Sequence, residues 1–207
     1  MADQKRCISV VLFDQFELLD VFGPVELYSL ASDLVEIKFI APKAGPVPSS
    51  QGVLVTAETD FQTAPVPDIV LIPGGMGTRR LAKDAPFLSW LGSWAGAASL
   101  ITSVCTGSAL LAAAGLLDGY RATSNKAAFA WVREQSDKVD WIPQARWVED
   151  RNRWTSSGIA AGMDMTVALL ANLFGQETAK AVAIRAELEV NEDSSRDPFA
   201  EIYGLVD

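Results

Sequence analysis

Ser99-Leu100-Ile101-Thr102-Ser103-Val104-Cys105-Thr106-Gly107-Ser108 reads as an apolar strand that stops at a cysteine, where a small-residue helix begins at once. A strand running straight into a helix lifts the residue at the turn above the sheet and aims the helix's free N–H groups at it. A thiol placed there is favoured as thiolate. Helix N-termini attract negative charge, and cysteine pKa values fall from about 8.5 into the range of roughly 3.5–7.5 in such places. The alternative is a buried structural cysteine, since free cysteine is among the most buried residue types. Gly107 and Ser108 favour a reactive one, because small residues after the cysteine leave the turn open for a substrate to approach backbone N–H groups. The chain contains no histidine, so Cys105 is a nucleophile elbow without the usual base.

On either side of the elbow, strands and helices alternate. Cys7–Phe13 is a short, continuous apolar run of the kind found in central parallel strands, Val35–Ala41 reads as a second strand, and Asp68–Ile72 reads as a third, buried strand. The pattern predicts helices over Asp20–Ser32, Pro86–Ala97, Thr106–Ala114 (ended by Gly115), Lys126–Glu134, Met163–Phe174 and Glu177–Glu189. Pro42, Pro46 and Pro48 mark a loop, and Val53–Ala57 with the following Glu-Thr-Asp-Phe fits a small strand or hairpin off the central sheet. Arg146–Glu149 and Arg153–Ser156 resemble paired strands, and the tail from Asn191 carries no clear period. The sequence therefore predicts one α/β domain over residues 1–207, with a parallel sheet covered on both faces and its site at the carboxyl ends of the strands. Cys105, Gly74-Gly75 and the stretch Asp14–Asp20 all fall at such ends.

Attack by a thiolate builds negative charge that preorganised donors must hold. The N–H of Thr106 is placed for this by the elbow, and the N–H of Gly75 is the natural second donor, from the loop Pro73-Gly74-Gly75, which could also be a plain tight turn. Without histidine, proton transfer falls to a carboxylate: Asp14, Glu17 or Asp20. Asp20 opens an apolar helix, so it is either an N-cap or an acid whose pKa is raised by apolar neighbours. The small-residue loop Ser156–Asp164 either lines a pocket with backbone groups or permits close helix–sheet packing, and Asp164 reads as a helix-start residue. The six tryptophans show no stacking spacing and read as core and interface bulk.

Composition narrows the partners. A formal charge of −9, with no basic cluster longer than Arg79-Arg80, argues against nucleic acid. No apolar run reaches transmembrane length and no cleavable leader is visible, so a cytoplasmic location without membrane attachment is expected. Two cysteines, Cys7 and Cys105, without Cys-x-x-Cys spacing make a disulfide or zinc site improbable, and no metal or other cofactor is expected.

The Pro73-Gly74-Gly75 loop after a strand, the Ser-Val-Cys-Thr-Gly-Ser elbow and Leu19-Asp20-Val21-Phe22-Gly23-Pro24 together resemble the ThiJ/PfpI superfamily. Within it the chain is most similar to the isocyanide hydratase branch and to the amidotransferase-like domain of AraC-type regulators, from Ile8 to the last helix. The resemblance implies a flavodoxin-like sheet, a homodimer acting on a small molecule, Cys105 as nucleophile, Asp20 beside it, and roles for Thr106, Gly75 and Gly74. Relatives often carry Thr-His-Trp where this chain has Ser124-Asn125-Lys126, so Asn125 stands in the place of a histidine and can hydrogen-bond in the pocket but not titrate. Chemistry that needs a Cys–His pair is thereby disfavoured. Isocyanide hydration to an N-formamide is the expected activity; glyoxalase-type hydration of methylglyoxal and a non-enzymatic ligand or cysteine-oxidation sensor are the alternatives.

Overall fold

The computed structural model describes residues 5–206. In chain order the elements are β1 (Arg6–Val11), α1 (Leu18–Ser29), β2 (Val35–Ala41), β3 (Gly45–Pro48), β4 (Leu54–Ala57), β5 (Thr59–Asp60), β6 (Ile69–Ile72), α2 (Thr78–Leu81), α3 (Ala85–Gly96) and β7 (Leu100–Ser103). They continue with α4 (Gly107–Ala113), β8 (Arg121–Ala122), α5 (Phe129–Arg133), β9 (Asp140–Trp141), β10 (Trp147–Asp150), β11 (Arg153–Ser156), α6 (Ala161–Phe174), α7 (Gln176–Arg185) and α8 (Phe199–Ile202). Seven strands form the main sheet in the order β10-β11-β7-β6-β1-β2-β5. All neighbours are parallel except the edge pair β10 and β11, which is antiparallel. With helices flanking the sheet, this is the flavodoxin-like α/β arrangement.

The continuous apolar runs explain the centre of the sheet. Ile8, Val10 and Val11 of β1, all four residues of β6 and all four of β7 are buried, as strands covered on both faces must be. At the amino ends of these three strands Arg6 donates to both carboxylate oxygens of Asp68 (2.5 and 2.9 Å) and to Ser99 Oγ (2.9 Å), tying the chain together at the edge opposite the site. Helix α3 starts where Asp84 accepts from the Phe87 N–H (3.1 Å), with proline in its first turn.

Several boundaries differ from expectation for local reasons. Helix α1 begins at Leu18, with Glu17 as its N-cap residue, so Asp20 lies in the first turn and is not the cap. The proline-rich loop contributes β3, which pairs with β4 in a separate two-stranded sheet, while Thr59–Asp60 joins the main sheet as its edge strand β5. Helix α7 stops at Arg185, short of Glu189, and Glu187 takes a left-handed φ of 50°. Trp90 and Trp94 do stack, at 4.9 Å between ring centroids, because residues four apart share a helix face; Phe61 stacks on Trp90.

The aperiodic tail is held by charge. Arg146 Nε donates to Asp164 Oδ2 (2.6 Å), and its guanidinium lies 3.9 Å from Asp197 Oδ1 in the tail. Asp164 Oδ1 accepts the Asn191 N–H (2.9 Å), and the Arg146 N–H donates to the Ser194 carbonyl (2.9 Å). Lys126, also buried, donates to Thr123 Oγ1 and the Ala145 carbonyl; burial lowers its pKa to about 8, with Asp197 opposing and Arg146 reinforcing that fall. Removing one partner from a buried ion cluster strands the others without compensation. Arg146→Met should therefore destabilise the fold by about 3–5 kcal/mol, read from urea unfolding midpoints; a variant within 1 kcal/mol of the parent, on the order of a surface change, would contradict this.

Candidate active site

Strands β7, β6 and β1 are neighbours, so the loops leaving their carboxyl ends meet above the sheet. Cys105 follows β7 at the elbow with φ 57°, a left-handed backbone conformation uncommon for a side-chain-bearing residue. Bonds on all sides hold it there. The Cys105 N–H donates to the Ser157 carbonyl (3.2 Å), while the Cys105 carbonyl accepts from Ser124 Oγ (2.8 Å) and Ser108 Oγ (3.2 Å). The side chain is turned inward and only 6% of the residue is exposed.

Asp20, on the first turn of α1, faces the sulfur and has no exposed surface. Its Oδ2 accepts the Gly74 N–H (2.8 Å), whereas Oδ1 is buried without a hydrogen-bond partner, and the Cys105 thiol faces the carboxyl group. Burial raises the Asp20 pKa from 3.8 to about 8, and nearby Glu17 reinforces the rise; the Gly74 N–H and the thiol oppose it without prevailing. At neutral pH the carboxyl is protonated, and with Oδ2 accepting the Gly74 N–H the proton belongs on Oδ1. Gly74 is required by this approach, since a Cβ there would stand 2.6 Å from the Thr106 nitrogen and 2.9 Å from Asp20 Oδ2.

The thiol does not follow the expectation of a low pKa. Burial pushes Cys105 up, a charge on Asp20 would push it further, and the N–H groups of Thr106 and Ile159 with the Thr106 hydroxyl pull it down by less. Below about pH 8 Asp20 carries no charge, so desolvation is what holds the thiol protonated. The helix N-terminus is present but outweighed. The resting site is a neutral acid beside a neutral thiol.

The other residues singled out from sequence divide. The N–H and the hydroxyl of Thr106 lie near the sulfur, and both pull its pKa down. The Gly75 N–H is not a free donor as expected: it donates to Thr106 Oγ1 (3.1 Å) and so supports the sulfur's neighbour. Asn125 turns its Oδ1 to the Ala128 N–H (3.0 Å), and its amide nitrogen packs against Gly158 so closely that a Cβ on Gly158 would collide with it. Asn125 also lines a cavity of about 250 Å³ with Ser157, Gly158, Ile159, Phe199 and Tyr203. This cavity lies along the loop that carries the Ile159 N–H. Asp164 belongs to the ion cluster of the tail.

Sequence reasoning did not find Ile159 as part of the site. The loop Ser156–Asp164 was legible only as small residues, and nothing in an isoleucine side chain announces that its backbone N–H meets a sulfur. Among the described residues no helix is long and apolar enough to cross a membrane.

Among known proteins, the isonitrile hydratase of Pseudomonas putida is 37% identical over 181 residues, covering 87% of this chain and 77% of that protein. The HTH-type transcriptional regulator GbdR of Pseudomonas aeruginosa is 30% identical over 96% of this chain, which spans only 56% of the regulator. Among solved structures, a ThiJ/PfpI family protein from Pseudomonas syringae superposes with a TM-score of 0.79 at 29% identity, covering 98% of this chain and 87% of that one. An AraC family transcriptional regulator from Pseudomonas putida shares the fold with a TM-score of 0.73 at 18% identity, covering 87% of this chain and 99% of that one. The family model described as DJ-1/PfpI matches residues 6–172, and the chain belongs to that family.

Proposed function

We propose that the chain is an enzyme that adds water to an isocyanide, R–N≡C, and releases the N-formamide, with Cys105 as nucleophile and Asp20 as the acid and base. The observation that carries this reading is a buried carboxyl with one partnerless oxygen, facing a protonated thiol in a site without histidine. An isocyanide carbon takes up a nucleophile and a proton at the same atom, so a neutral acid–thiol pair matches what the reaction consumes. The 37% identity to an isonitrile hydratase supports the same reading.

In the first step the Cys105 sulfur bonds to the isocyanide carbon while Asp20 Oδ1 delivers its proton to that carbon and takes up the thiol's proton. The product is a thioimidate, R–N=CH–S. Water then attacks the same carbon as Asp20 protonates the nitrogen and accepts a proton from the water. Collapse of the adduct breaks the C–S bond, returns a proton to sulfur through Asp20, and frees R–NH–CHO. Thr106 and the Ile159 N–H hold the sulfur's developing charge in both directions. Asn125 lines the neighbouring cavity without titrating. The working form is proposed as a cytoplasmic homodimer: both cysteines are free, as in a reducing compartment, and Leu19 and Phe22 expose apolar surface on α1.

Purified protein mixed with an aryl isocyanide should produce the formamide, followed spectroscopically. Turnover should vanish in Cys105→Ala, fall about 10²–10⁴-fold in Asp20→Asn, and survive in Cys7→Ser. Absence of formamide from every isocyanide tried would overturn the reading, and consumption of methylglyoxal instead would replace it.

Because the protonated form of Asp20 is the acid, kcat should decline as pH rises through about 8. The same shift couples to stability. An acid whose pKa is higher folded than unfolded stabilises the fold fully below the unfolded value, near 4, and loses that contribution as pH climbs to the folded value. The Tm of Asp20→Asn relative to the parent should thus rise between pH 5 and 8 and level off above; a constant offset would show that Asp20 is ionised when folded.

A further inference from the structure

Thr78, at the start of α2, has no exposed surface and no contact with the reacting sulfur that would mark it from sequence. Its hydroxyl donates to the Gly75 carbonyl (2.7 Å) and, in a bifurcated arrangement, to Thr106 Oγ1 (3.2 Å). Thr106 Oγ1 also accepts the Gly75 N–H (3.1 Å). A hydroxyl oxygen has two acceptor lone pairs and one proton. With both lone pairs of Thr106 Oγ1 engaged from the side of Thr78 and Gly75, its proton is left for the other side, where Cys105 lies.

We propose that Thr78 is a positioning residue of the nucleophile: by donating to Thr106 Oγ1 and clamping the Gly75 peptide, it orients the Thr106 hydroxyl proton toward the Cys105 sulfur. The Gly75 peptide is gripped at both ends, its carbonyl by Thr78 and its N–H by Thr106. The three residues therefore form a closed ring of hydrogen bonds with one outward-pointing proton. When sulfur gains charge, as it must when the C–S bond of the thioimidate breaks, that proton is already aimed. The titratable groups facing the sulfur are few. Asp20 comes from α1 with Glu17 behind it, while the elbow, the glycine loop, Ser124 and the Ile159 loop present uncharged groups. The inference rests on Cys105 being the nucleophile of the proposed reaction, but its test does not need turnover.

The experiment is the rate of iodoacetamide alkylation at Cys105 at fixed pH and several reagent concentrations, followed by mass spectrometry of the Cys105 peptide in a Cys7→Ser background. Thr78→Val keeps the side-chain shape and removes the donor. It should slow alkylation about tenfold at a fixed pH. Thr78→Ser should restore the parent rate, as a purely space-filling role would not require. In a Thr106→Val background, Thr78→Val should add nothing, because its path runs through Thr106. An unchanged rate in folded Thr78→Val, or a full additional loss of about tenfold on top of Thr106→Val, would overturn the proposal. If Thr78→Val does not fold, the same two outcomes are read from Thr78→Ala. Failure of isocyanide turnover with these alkylation effects intact would sink the proposed reaction and leave the role of Thr78 standing.

Discussion

The carboxyl of Asp20 is cut off from water, and its desolvation keeps it protonated beside Cys105. A charged carboxylate there would lack hydration, and the Gly74 N–H and the Cys105 thiol compensate too little, so the proton stays on. A neutral Asp20 in turn removes the repulsion that a thiolate at Cys105 would meet, yet burial still keeps the sulfur protonated. A neutral carboxyl and a neutral thiol are thus stored together at the same pH. A histidine-based site gives one proton to an imidazole that water can reach; here the two groups share a dry space, and in the proposed reaction they exchange protons directly.

The sheet order makes that dry space possible. Because β1 lies next to β6 and β6 next to β7, the loops carrying Asp20, Gly74 and Cys105 are forced into contact with no intervening strand. The β3–β4 hairpin packs on the outside of this junction: Gln15 donates to the Pro48 carbonyl (2.9 Å) and Ser50 to the Phe16 carbonyl (2.8 Å). Glu17 and Gly77 then donate to the Gly74 and Gln15 carbonyls (2.8 and 3.1 Å), so the loop after β1 is fastened to the glycine loop on its other side. The site is therefore built from loops that are braced against one another as firmly as strands are.

Much of this could be read from the chain because its determinants are local. A run such as Leu100–Ser103 that ends at Cys105-Thr106-Gly107 announces both a buried parallel strand and the turn after it, and the left-handed φ of Cys105 follows from that connection. Asp20 was legible as one of three carboxylates, since a first-strand loop must point at the same edge. What escaped depends on contacts between distant segments. The thiol's protonation is a balance between a helix terminus, which a sequence displays, and burial beneath other elements, which it does not. Thr78 gains its role from Gly75 and Thr106, and Ile159 from a backbone N–H, so neither residue type carries a signal. The tail after Asn191 has no period because Asp197 is held by Arg146 on another segment, not by a repeating apolar face.

A protonated, inward-facing thiol also determines what the protein ignores. Peroxides and most soluble electrophiles react with thiolates in proportion to the fraction ionised and exposed. Cys105 offers little of either, although it stands at a turn that elsewhere produces reactive cysteines. In the proposed reaction its reactivity is conditional on a molecule small enough to enter and able to accept a proton as it accepts sulfur. Burial thus acts as a chemical filter, slowing reaction with the oxidants that an exposed cysteine would meet first.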